Sequence, residues 1–93
     1  MLTIYKYKIE PGVDATKVEV KKGAVPISCG IDANRQPCVW ILLDTEEEAK
    51  VMDFYCLGTG WSLDEVLPQD GAIFVGTINQ DPYIWHVFMG KEI

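Results

Sequence analysis

Two apolar runs in the middle of the chain, Val25 to Ile31 and Cys38 to Leu43, are separated only by Asp32-Ala33-Asn34-Arg35-Gln36-Pro37. Asp and Asn tolerate turn conformations, and proline, lacking an amide to donate, belongs at the first residue of the strand it opens. The pattern therefore predicts a hairpin whose second arm begins at Pro37. That arm, CVWILL, is apolar on both faces, with Cys38, Trp40 and Leu42 opposed to Val39, Ile41 and Leu43. A strand of this kind needs cover on both sides, which predicts a central position in a sheet.

The rest of the chain repeats this grammar of short apolar segments and turn residues. Leu2 to Ile9 alternates loosely and stops at Pro11-Gly12; Thr16 to Val20 sets Val18 and Val20 against Lys17 and Glu19. Ala72 to Ile78 and Tyr83 to Met89 form a second pair around Asn79-Gln80-Asp81-Pro82. The stretch 45–57 is ambiguous. Thr45 and Glu48 have capping-box spacing and Gly58 could close a helix, but Val51 to Leu57 alternates and runs into Gly-Thr-Gly. We read a turn at 45–49 and a strand at 50–57. Ser62 to Pro68 holds one helical turn and no more, since so short a helix is marginal. The expected fold is a single all-β domain over 1–93. Six or seven short antiparallel strands form a small sandwich or partly open barrel, with at most one helical turn near 62–67. Trp40, Leu42, Phe74, Val75 and Val87 are expected in its core.

Composition bounds the function. With 93 residues, the chain buries about 64% of its extended surface on folding, enough for a core without metal or disulfide staples. Eight Lys and Arg against fourteen Asp and Glu leave a net charge of −6. No basic stripe is available to displace counterions from nucleic acid, so no direct nucleic-acid binding is expected. Cys29, Cys38 and Cys56 are odd in number, widely spaced and set among apolar neighbours, which reads as buried thiols in a reducing compartment. The inventory does not fit a structural zinc site, and neither metal nor cofactor is expected. MLTIYKYKIEPG lacks the ordered basic and apolar regions of a signal peptide, and no run reaches membrane-spanning length.

The order of the short motifs is more specific than any one of them. IYKYKI, KGA (Lys22 to Ala24), PCVWILLD (Pro37 to Asp44), GTG (Gly58 to Gly60), FVGTI (Phe74 to Ile78) and WHVF (Trp85 to Phe88) follow one another over about residues 3 to 89. In this order the chain resembles a family of small bacteriophage proteins known only as a domain of unknown function. It departs from the family pattern after GTG, where Trp61-Ser62 stands in place of a histidine and proline, and in a longer 62–71 segment. The resemblance implies an all-β protein acting in the cytoplasm of an infected bacterium. It implies no chemistry.

Few residues invite a chemical role. His86 is the only imidazole and lies mid-strand, where a histidine paired to a backbone carbonyl or a neighbouring side chain is the ordinary reading. Ser28 beside Cys29 lacks the elbow of a nucleophile, and no catalytic residue is assigned. Gly58, Thr59, Gly60 and Trp61 form a candidate binding loop, because a tryptophan flanked by glycines in a polar loop is poorly explained as core. Glu46, Glu47 and Glu48 read ordinarily as a solvated turn and are also a candidate acidic face for a basic partner, which clustering with Asp44, Asp64 and Glu65 would match. Tyr83, Trp85 and Phe88 are interface candidates: if the last strand is an edge, its free amides and aromatic side chains suit pairing into a homodimer. The leading functional expectation is a non-enzymatic module that engages a host or phage protein. A small-molecule or nucleotide-binding protein and a virion component are the alternatives.

Overall fold

The computed structural model describes residues 1–68 and 71–90. Seven strands make up the fold: β1 (Leu2–Lys8), β2 (Gly12–Lys21), β3 (Val25–Ile31), β4 (Pro37–Asp44), β5 (Ala49–Gly58), β6 (Ala72–Gln80) and β7 (Tyr83–Gly90). They form two antiparallel sheets, β1-β4-β3 and β2-β5-β7-β6, packed as a sandwich 40 × 34 × 16 Å in extent with no closed barrel. Two thin layers expose more surface than a rounder body of this mass. The accessible area is 5914 Å², against about 5,400 Å² from the size scaling of folded proteins.

The hairpin at Asp32–Pro37 forms because Asp32 organises it. Its carboxylate accepts the amides of Asn34 and Gln36 at 2.8 and 3.0 Å and the Lys6 ammonium at 3.1 Å. Those partners hold the Asp32 carboxyl at about 2, the Gln36 amide contributing most and Lys6 next. Pro37 opens β4 as its missing donor requires. Between the sheets lie Ile9, Val18, Val20, Val39, Ile41, Leu43, Met52, Phe54, Cys56, Ile78 and Val87. β4 is central in its sheet, but only Val39, Ile41 and Leu43 reach this core.

Three core expectations are corrected. Trp40 and Leu42 point to the outer face of the three-stranded sheet and are half-buried, with Ile4 and Val25 exposed beside Leu42. Among the described residues that face has no second covering layer, so they do not enclose β4 on both sides. Phe74 is 57% exposed. A register shift between Phe74 and Gly76 leaves Val75 packed on the core and turns Phe74 outward against Phe88, ring centroids 5.5 Å apart. Val87 is fully buried, as expected.

The ambiguous 45–57 stretch is a turn followed by a strand. Asp44 forms the turn: its carboxylate accepts the Glu46 amide and its carbonyl the Glu47 amide, at 3.0 and 3.1 Å. Near 62–67 there is a hydrogen-bonded turn, the Val66 amide donating to the Leu63 carbonyl at 3.1 Å, and no helix among the described residues. Because β5 and β6 run parallel with β7 between them, the chain leaving β5 must cross β7. Tyr55 and Leu57 alternate with the core residues Phe54 and Cys56 along β5 and are buried as well.

Candidate functional site

β7 is not an edge. It lies between β5 and β6, and its amides are taken up by those neighbours, so the condition for pairing a second copy through β7 is not met. Its N-terminal end has a different use. β5 and β6 end, and β4 and β7 begin, at one pole of the sandwich, so the turns at 32–36, 58–61 and 81–82 gather there.

At this pole a cleft of about 340 Å³ is lined by Gly58, Thr59, Trp61, Pro82, Tyr83, Ile84 and Trp85. The Gly-Thr-Gly-Trp turn builds one wall. The Trp61 amide donates to the Gly58 carbonyl at 3.3 Å, and Gly60 has a φ of +86°, which a residue with a Cβ adopts only under strain. The turn folds the Trp61 indole back over Gly58. Since Gly58 is the register partner of Trp85, the two indoles meet above it, centroids 5.8 Å apart and planes at 69°. Tyr83 stacks on Trp85 at 5.4 Å and 17°. Three aromatic rings thus form a corner, with Trp61 40% and Tyr83 58% exposed.

Several polar groups around the corner already have partners. Trp85 donates its Nε1–H to Gln80 Oε1 at 2.9 Å, and the Gln80 amide donates to the Arg35 carbonyl at 2.7 Å, tying β6 to the β3–β4 turn. Thr59 Oγ1 and His86 Nε2 are hydrogen-bonded at 2.7 Å; Thr77 Oγ1 lies 3.4 Å from His86 Nδ1. The lone histidine therefore has the side-chain partners of a structural residue, and what it holds in place is the Gly-Thr-Gly-Trp turn.

The structure unites Gly58, Thr59 and Trp61 with Tyr83 and Trp85. Gly60 belongs to the same turn, whereas Phe88 and the three glutamates lie apart from it. Phe88 is on the outer face of its sheet against Phe74. Glu46, Glu47 and Glu48 precede β5, whose ten residues put them about 30 Å along the strand from Gly58. There the Met1 ammonium is 3.0 Å from Asp44 and 3.9 Å from Glu46, while the Glu48 carbonyl accepts the Lys22 amide. Pro82 and Ile84 were missed as cleft residues. Strand alternation sets Ile84 opposite Tyr83 and Trp85, and only the turn beside it brings the three to one cleft. Among the described residues no group of three or more His, Cys, Asp or Glu side chains could hold a metal ion, and no helix is long and apolar enough to cross a membrane.

Fold and site together define an all-β sandwich with an aromatic cleft at its loop pole. The chain belongs to the family described as Domain of unknown function (DUF7352), whose model matches residues 1–93. No curated protein and no solved structure matches it.

Proposed function

We propose that this domain is a non-enzymatic binding module that engages a partner protein through the Trp61–Tyr83–Trp85 cleft. The observation that carries the reading is an exposed three-ring corner, held in shape by hydrogen bonds from outside it. Trp and Tyr are the side chains that most often anchor protein interfaces, and they do so from preformed pockets. The cleft lining offers no acid–base pair and no activated nucleophile, which supports binding over catalysis. The resemblance to phage proteins extends the proposal: a phage-encoded factor working in the host cytoplasm on a host or phage protein. Lysate of infected bacteria passed over immobilised wild type and over Trp61→Ala tests it. One protein retained by the first and lost from the second is expected; identical eluates from both overturn the assignment.

The cleft volume favours one second reading, a small-molecule site. About 340 Å³ falls at the lower end of the usual range for such sites, about 300–1,000 Å³. A thermal-shift series with nucleotides addresses it, since a ligand at a hundred times its Kd stabilises by about 2.7 kcal/mol.

A further inference from the structure

We propose that the occupant of the aromatic corner is a cationic side chain, an arginine or lysine on a basic segment of the partner. The proposal rests on the binding-module reading and gives that module's site a ligand chemistry.

The argument begins with what the cleft has left to offer. Its lining residues, Gly58, Thr59, Trp61, Pro82, Tyr83, Ile84 and Trp85, carry no formal charge. The Trp85 N–H is committed to Gln80, and the Thr59 hydroxyl to His86. Two further polar side-chain groups line the cleft, the Trp61 N–H and the Tyr83 hydroxyl, too few to hold a sugar or an anion by directed hydrogen bonds alone. The remaining resource is π-surface. Aromatic rings are negative on their faces, and a cation held near them is attracted without any directional donor or acceptor; tryptophan is the strongest of the three aromatic types. Two indoles at 69°, with Tyr83 stacked on one of them, offer such surface on more than one side.

Charge selects the same occupant. The net charge of −6 draws cations and repels anions at long range. At the cleft pole the nearby lysines are matched: Lys6 pairs with Asp32 at 3.1 Å and Lys8 with Glu10 at 3.0 Å. Asp81 sits in the turn immediately before Pro82. Arg35, in the β3–β4 turn at the same pole, carries a positive charge that Asp81 offsets in the count, and its carbonyl oxygen accepts the Gln80 amide. A proline or aliphatic side chain would bury against the same rings but would gain nothing from the field.

Arginine and citrulline have nearly the same shape and differ in charge, so they separate the two contributions. The test titrates short glycine-flanked peptides carrying arginine, citrulline or proline into the labelled protein while the three indole N–H resonances are followed. Trp40, on the outer face of the other sheet, is the internal control. The arginine peptide is expected to shift Trp61 and Trp85 and leave Trp40 in place, and to weaken as salt is raised. Citrulline is expected to bind at least tenfold more weakly. Trp61→Ala should lose at least tenfold in affinity for the arginine peptide, with Trp61→Phe intermediate, and Trp61 lies outside the core, so both variants fold. Equal shifts from citrulline or proline peptides overturn the cationic assignment and leave the binding-module reading standing. No shift from any peptide also overturns it, and the lysate comparison with Trp61→Ala then decides the module reading separately.

Discussion

The Trp61 indole lies so close over Gly58 that a Cβ at position 58 would stand 2.6 Å from its Cε2 and Nε1. No real contact is that short, so any other residue at 58 must push the indole away. Trp61 is exposed and free to swing outward. Gly58→Ala is therefore expected to open the cleft and break the Trp61–Trp85 contact while β5 and the core stay in place. Losing one aromatic pair costs about 0.5–1.5 kcal/mol. The check is the indole N–H spectrum: Trp61 and Trp85 should move together and Trp40 should not, with a small fall in the urea midpoint.

The two faces of β4 should differ in what they contribute to stability. Ile41 is fully buried between the sheets, whereas Leu42 lies half-covered on the outer face. Ile41→Ala is expected to cost about 2–5 kcal/mol, as core truncations do. Leu42→Ala should cost clearly less in the same urea titration. Equal losses would mean that the outer face is covered by something other than solvent.

Acid stability should depend on Asp32. Its carboxyl is held at about 2 in the folded protein, below the ordinary unfolded value of about 3.9. A depressed folded pKa stabilises the native state above the unfolded pKa, and that contribution is lost as pH falls through the window between the two. Asp44, lowered by the Glu46 amide and then the Met1 ammonium, acts in the same direction. Asp32→Asn should therefore be less stable than wild type at neutral pH, and the difference should shrink from pH 4 to 2. Melting temperatures across that range measure it.

Thiol reactivity should be graded. Cys56 is fully buried, and burial raises its thiol to about 12; Cys29 is only half-buried and raised less. The thiolate is the reactive species. Alkylation near pH 8 under native conditions should thus label Cys29 first and Cys56 only as the protein opens. Mass mapping over a time course reads the order.

Much of this architecture is legible in the residues. Pro37 marks the start of β4, and Asp32 and Asn34 mark the turn before it, because missing donors and short acceptor side chains act locally. Strand alternation also separates inner Val87 from outer Phe88. It fails on CVWILL, where both faces are apolar and only the neighbouring strands decide which one meets the second sheet. It fails again at Phe74, because one bulged residue reverses the parity of everything before it. The cleft was half legible: Gly58, Thr59 and Trp61 stand out as an anomaly in the chain. Their meeting with Tyr83 depends on β7 being inserted beside β5, a long-range pairing with no local signal. The glutamate run stood out just as clearly, and ten residues of β5 carry it to the far end of the molecule.

That same strand direction gives the molecule two unlike poles. Met1 is fastened to Asp44 and Thr45 at the end of β4, and β7 runs from Tyr83 in the cleft to Gly90 beside Ala72. Residues 1 and 90 therefore both lie away from the aromatic corner. A tether at either of those places, to a bead, a sensor chip or a fused domain, leaves the three rings facing solution. Immobilisation chemistry can be chosen for convenience without occluding the cleft.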